Sequence, residues 1–305
     1  MVAFLKLVRY KNLLMVLLTL VLTKYALINS FSNLFDTQFT LLVISVLTIT
    51  ASGYIINDIF DVKADVINKP TKVYIDVSIS RKHAFTIYYL LSAFGLLTGF
   101  IVAYLKGNIS YSLVFIGTVL LLFWYSKSLK KIAFIGNVVV SFLTAFTLFI
   151  VFLFEKESTT TATNIFEAMV GFFKIIPTTV AFLCYLIFAF STTLIREIVK
   201  DIEDIKGDYS LKMNTLPILI GINRTKNIAL VLSAFVFLFL VFILKEELIH
   251  IQLLFWYAML FIILPFAWFI YKLINAKTNT NFSKLSTLLK LIMCFGILSM
   301  LFIQL

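Results

Sequence analysis

Residues 57–65 read "NDIFDVKAD", and 143 positions later residues 200–208 read "KDIEDIKGD". Five of the nine letters are identical: Asp58/Asp201, Ile59/Ile202, Asp61/Asp204, Lys63/Lys206 and Asp65/Asp208. Each phrase follows on a long apolar run, "TLLVISVLTITASGYII" at 40–56 and "VAFLCYLIFAFSTTLI" at 180–195. Those junctions decide the fold, because an acidic phrase set on the end of a membrane-length apolar run marks the place where a span leaves the bilayer.

The rest of the chain fits that reading. It has 305 residues, of which 61% are hydrophobic and 13% charged, and its mean hydropathy is +1.04. A soluble domain is about half apolar and about a quarter charged, so a water-soluble globular class is excluded. Lipid cannot satisfy backbone polar groups, which leaves helices or closed barrels. Barrel strands would be short and alternating. The apolar runs here are long and continuous, and the chain reads as an all-α polytopic membrane protein. Two cysteines, Cys184 and Cys294, lie in apolar runs, and His83 and His250 are far apart. Neither pair suggests a metal site or a disulfide framework.

Nine spans are expected, near 12–31, 39–57, 84–104, 110–126, 133–154, 175–195, 227–244, 253–271 and 286–304. The basic N-terminus leads into a run of full span length, which reads as a first span and not a cleavable signal peptide. Lys and Arg set the orientation. With the N-terminus in the cytoplasm, 20 of the 26 basic residues fall inside; Lys24, Lys106, Lys156, Lys174 and Lys245 fall outside, and Lys290 lies within the last span. The C-terminus is then outside. Both acidic phrases are cytoplasmic, where nine of the fifteen acids gather. The net charge of +11 is largely this orientation signal and needs no nucleic-acid partner. The polar stretch "EKESTTTATNIFEA" at 155–168 reads as an outside loop. No linker divides the chain, so residues 1–305 are expected to form a single domain.

On a helix, Asp58, Asp61 and Asp65 fall at about 0°, −60° and −20°, with Asn57 bordering them at about −100°. Asp201, Asp204 and Asp208 repeat those angles, Glu197 joins them near −40°, and Glu203 lies on the far side. Gly207 weakens a helix, so Asp208 is expected on a turn just beyond it. Clustered carboxylates repel one another, and a hard divalent cation removes that repulsion. Mg²⁺ takes one or two carboxylates together with substrate phosphates. Two such faces opposite one another would hold metal on both sides of a diphosphate. Lys127, Lys130, Arg196 and Lys200, on the same membrane side, are candidates to meet the remaining negative charge. For the three lysines, an orientation signal alone is the competing explanation.

These residues resemble the UbiA superfamily of intramembrane prenyltransferases. Asn57, Asp61 and Asp65 match its N-x-x-x-D-x-x-x-D motif after the second span, and Asp204 and Asp208 match its D-x-x-x-D motif after the sixth. "LVRYKN" at 7–12 is similar to the family's Arg-x-x-Asn segment, and "WYSKSLKKIAFIGNVVVS" at 124–141 to its Tyr/Lys segment followed by Gly-Asn. "REIVKDIEDIKGDYSLKMNTLPILIG" at 196–221 matches the run leading to Thr-Leu-Pro. The segment "KPTKVYIDVSISRKHA" at 69–84 departs from the family pattern: it lacks the second Pro and the Gly, and Asp76 adds a charge.

The resemblance implies nine helices around a central cavity, closed by cytoplasmic loops that carry the Asp motifs. It implies Mg²⁺ as cofactor and an allylic prenyl diphosphate as donor. Asn57, Asp61, Asp65, Asp204 and Asp208 would bind Mg²⁺–diphosphate, with Asp58 and Asp201 as supporting acids or further ligands. Tyr125 would face the cation or the diphosphate, and Arg9 and Asn12 would reach the cavity, with membrane anchoring the alternative for Arg9. The phrase "REIVKDIEDIKGD…NTLP" is most similar to the branch that prenylates geranylgeranylglyceryl phosphate, which makes a prenylglyceryl phosphate the expected acceptor. A quinone-precursor ring such as hydroxybenzoate or naphthoate is the alternative. A cation transporter is the reading from another class; its acids would sit near the bilayer midplane on broken helices.

Overall fold

The structure is a computed structural model that describes residues 2–28, 36–155, 180–246 and 251–303. Most of the outside loop at 155–168, with Lys156, Lys174, His250 and the first residues of the sixth expected span, lies outside the described residues. The helices are α1 (Val2–Leu7), α2 (Tyr10–Leu22, prolonged by a π turn at Thr23–Leu27), α3 (Thr37–Asn68), α4 (Arg81–Leu105), α5 (Ser112–Lys127) and α6 (Ile135–Glu155). They continue with α7 (Val180–Ser210), α8 (Leu216–Ile220), α9 (Ile222–Glu246), α10 (Gln252–Ala258), α11 (Leu264–Ile274) and α12 (Asn279–Leu298). A π turn at Met259–Ile263 joins α10 to α11 just ahead of Pro265, whose missing N–H interrupts the regular helical ladder. Among the described residues there are no strands, only isolated bridges at Ile75/Ile79 and Ile132/Asn214.

Nine helices among the described residues are long and apolar enough to cross a membrane, as expected. Two of them differ from the expected bounds in a way that matters. The second runs on to Asn68 and the sixth to Ser210, so each acidic phrase continues its span as unbroken helix. The expected turn at Asp208 is not there: α7 passes through Gly207. Glycine costs a helix interior about 1 kcal/mol, and packing outweighs that here. Ile195, Ile198, Val199 and Ile202 are fully buried along α7, at about +60° to +160° from Asp201. Ser52, Ile55, Ile56 and Ile59 are buried at the corresponding angles on α3. The repeat therefore includes a buried stripe as well as an acidic face.

The chain divides into two compact units, Met1–Leu129 with Phe146–Phe182, and Lys130–Ala145 with Leu183–Leu305. In the first, α3 lies close along α4. A Cβ on Gly95 would stand 2.6 Å from Ile49 Cγ1, and Ser45 Oγ donates to the Gly95 carbonyl at 2.7 Å. One core cluster gathers Leu20, Phe39, Leu42, Phe115 and Phe154; another gathers Leu7, Ile55, Ile56, Ile59, Ile75 and Ala84 beside the first acidic phrase. In the second unit the stripe of α7 packs in one cluster with Phe266, Phe269 and Leu273 of α11 and Leu285, Leu289 and Ile292 of α12.

The first unit also holds an ion cluster that the sequence did not reveal. Lys24, counted as outside orientation signal, is fully buried. Its Nζ lies 2.7 Å from Asp36 Oδ2 and 2.8 Å from Glu155 Oε2, over the Phe39 ring at 4.3 Å. Asp36 also caps α3 by accepting from the Phe39 N–H at 2.6 Å. Burial raises its carboxyl, but the Lys24 and Phe39 hydrogen bonds outweigh that and hold it below the ordinary carboxylate range.

Candidate active site

Two contacts tie the acidic face of α3 to its surroundings and to itself. Asn57 Nδ2 donates to Asp61 Oδ2 at 2.8 Å, one turn along the helix. Arg9 Nη2 donates to Asp58 Oδ1 at 2.6 Å. Arg9 sits at the joint of α1 and α2 in the left-handed conformation, φ 53°. This turn brings the guanidinium over the Tyr54 ring, 5.0 Å from its centroid, as well as against Asp58. Burial alone would lower the Arg9 pKa; the Asp58 carboxylate, then Tyr54 and Asp65, more than offset it and the guanidinium stays charged. Arg9 is thus a partner of the acidic phrase through Asp58. Asn57, Asp58, Asp61, Asp65 and Asn12 are all half-buried.

The atypical segment after α3 packs Ile75 and Ile79 against the core cluster beside the first acidic phrase. A 3-10 turn at Pro70–Lys72 leads to Ile75, which is buried. Asp76 takes φ 63° and its N–H donates to the Ile79 carbonyl at 2.9 Å. Aspartate is one of the few residues that tolerates the left-handed region, so Asp76 supplies here a backbone conformation normally given to glycine. Its Oδ1 accepts from the Arg81 N–H at 3.2 Å, and Ser80 caps α4 by accepting from the His83 N–H at 3.3 Å.

On α7, Glu197 is buried and carries two cations: Arg196 Nη1 at 2.6 Å and Lys200 Nζ at 3.2 Å. One turn on, Asn137 Nδ2 of α6 donates to Asp201 Oδ2 at 2.9 Å. The helix ends just past Asp208, whose carbonyl accepts from the Met213 N–H at 3.0 Å, while Lys212 turns into the left-handed region. Asp201, Asp204 and Asp208 are half-buried. Of the remaining expected site residues, Tyr125 and Lys130 are half-buried and Lys127 is exposed, its Nζ 5.8 Å from the Phe123 ring centroid.

Among the described residues, no three His, Cys, Asp or Glu side chains converge as a metal-holding group. Mg²⁺ does not require one: it takes one or two carboxylates and completes its octahedron with phosphate oxygens and water. Asp61 with Asp65, and Asp204 with Asp208, are i, i+4 pairs on helical faces, and that hard-oxygen donor set fits the ion. Asn137 was missed as a functional candidate. Its sequence signal was the Gly136-Asn137 pair in the segment at 124–141, which resembles the family but assigned the amide no role.

Fold and site together define a helical multi-pass membrane protein with a carboxylate face on each of two spans. The model of the UbiA prenyltransferase family matches residues 13–292. The chain belongs to that family and is an integral-membrane prenyltransferase. It is 33% identical over 262 residues to the digeranylgeranylglyceryl phosphate synthase of Saccharolobus solfataricus, covering 83% of this chain and 80% of that one. A solved digeranylgeranylglyceryl phosphate synthase structure is similar at TM-score 0.62 and 26% identity, over 99% of this chain and 98% of the other. A UbiA homolog from Archaeoglobus fulgidus bound to GPP and Mg²⁺ shares the fold at TM-score 0.61 and 14% identity, over 98% and 99% of the two chains.

Proposed function

We propose that this protein transfers a prenyl group from an allylic prenyl diphosphate to a prenylglyceryl phosphate acceptor, with Mg²⁺ as cofactor. The observation that carries the reading is the pair of acidic helix faces, Asp61 with Asp65 on α3 and Asp204 with Asp208 on α7. The name of the Saccharolobus relative supports the lipid acceptor, and the ligands of the Archaeoglobus homolog support the donor and the metal.

Asn57, Asp61, Asp65, Asp204 and Asp208 hold the Mg²⁺–diphosphate, and both faces serve one reaction. When bound, Mg²⁺ neutralises charge on the departing diphosphate. Arg196 and Lys200, with Lys127 and Lys130, meet the phosphate oxygens by charge-assisted hydrogen bonds. The C–O bond of the donor breaks with both electrons leaving on the diphosphate. The acceptor oxygen then bonds the allylic carbon and releases its proton. Tyr125 faces the developing allylic cation, and apolar span residues around the prenyl tail keep water from it. Arg9 and Asn12 belong to the same site, Arg9 through Asp58. The N-terminus and both Asp motifs lie on the cytoplasmic side and the C-terminus outside, a reading supported by the bias of basic residues.

An aromatic quinone precursor remains the second acceptor class. Purified protein incubated with Mg²⁺, labelled prenyl diphosphates and a panel of glyceryl-phosphate and aromatic acceptors separates the two by product mass. A prenylated glyceryl phosphate is expected. Transfer to an aromatic ring alone contradicts the acceptor assignment.

A further inference from the structure

The first acid of each repeated phrase is held from outside its own helix. Asp58 is held by Arg9, and Asp201 is held by Asn137, in each case by a side chain from another segment. The Asn137 contact stands within a wider clamp. The Asn214 N–H donates to the Lys131 carbonyl at 2.9 Å, and Ile132 bridges to Asn214. Phe134, between these contacts, sits at φ 67°. A bulky residue in the left-handed region is strained and persists only where its surroundings over-determine it. The turn leading into α6 is therefore tied twice, to α7 through Asn137 and to the segment after α7 through Lys131 and Ile132. Asn137 is buried, as is Ser141, whose Oγ donates to the Asn137 carbonyl at 2.6 Å.

We propose that Asn137 is a positioning residue of the second acidic face: its amide fixes Asp201, locks the head of α6 to the acidic stretch of α7, and so orients Asp204 and Asp208. Asp201 then acts through Asn137 and is not a metal ligand. A carboxylate that accepts an amide N–H across a helix interface sets the rotation of its helix, and the next two acids on that face follow. Partners that orient metal ligands typically contribute tenfold to a hundredfold in affinity. The inference rests on the proposed Mg²⁺–diphosphate reading of that face.

The test is Mg²⁺-dependent binding of geranyl diphosphate to the purified full-length protein, which needs no acceptor. Asp204→Ala comes first: undiminished binding there overturns the metal reading itself, whatever Asn137 does. With that loss in hand, Asn137→Asp sets two carboxylates against each other, and binding weakens about tenfold or more. The swap Asn137→Asp with Asp201→Asn re-forms the amide–carboxylate bond with its polarity reversed. Binding and the half-saturating Mg²⁺ concentration are expected to recover substantially. A swap as weak as Asn137→Asp alone overturns the proposal and makes Asp201 a ligand in its own right. If Asn137→Asp does not accumulate, the Asn137→Ala and Asp201→Ala cycle serves instead. Positioning through one bond predicts strongly non-additive losses; additive losses overturn it.

Discussion

Glu203 and Asp204 are neighbours in sequence, yet the helix gives them opposite assignments. Asp204 shares the face of Asp201 and Asp208, whereas Glu203 points about 100° away from Asp204 and about 160° away from Asp201, and its carbonyl accepts from Asn279 Nδ2 at 3.3 Å. Glu203→Ala is expected to keep prenyl transfer within about threefold of wild type, because this half-buried side chain lies off the shared face. Asp204→Ala is expected to lower it about a hundredfold or more. Equal losses in the two variants, measured as initial rates at saturating Mg²⁺, contradict the helical face. The spacing of the carboxylates was legible in the sequence because it depends only on helical periodicity. Their partners were not. Arg9 reaches Asp58 through one left-handed residue, and Asn137 reaches Asp201 across 64 positions; neither follows from local pattern.

Span existence was legible at the level of elements, since nine apolar runs became nine long helices among the described residues. The ends of α3 and α7 were less so, because hydropathy stops at the last apolar residue while the buried stripe continues into the acidic phrase. Lys24 shows the opposite limit. A single lysine near the end of a span looks like orientation signal, but here it joins the start of α3 to the end of α6 through Asp36 and Glu155. Lys24 is fully buried but Asp36 is more than a third exposed, so removing the lysine costs less than in a fully buried pair, on the order of 1 to 3 kcal/mol. Lys24→Ala should therefore lower the melting temperature in detergent, while an exposed lysine such as Lys277 changed to Ala should not. The Asp36 carboxyl is held below its ordinary value. Its share of the stability is present at neutral pH and is lost as pH falls through the folded pKa, below about pH 4. A Lys24→Ala effect that does not shrink as pH falls through and below the ordinary carboxylate range contradicts this ion pairing.

For the whole molecule, composition pointed to a polytopic membrane protein before any contact was known, the two acidic phrases and their resemblance to the UbiA superfamily pointed to a prenyltransferase, and membership of the UbiA prenyltransferase family agrees. The acceptor was not legible, because the residues that would distinguish a glyceryl phosphate from an aromatic ring carry no motif of their own. The central claim is that both acidic phrases work together on a Mg²⁺–diphosphate. It is tested most directly by the rate of Mg²⁺-dependent prenyl transfer in Asp61→Ala and Asp204→Ala, each compared with wild type at equal folded protein in the membrane. Loss of transfer in both variants, with expression intact, is the predicted result; near-normal transfer in either one contradicts it.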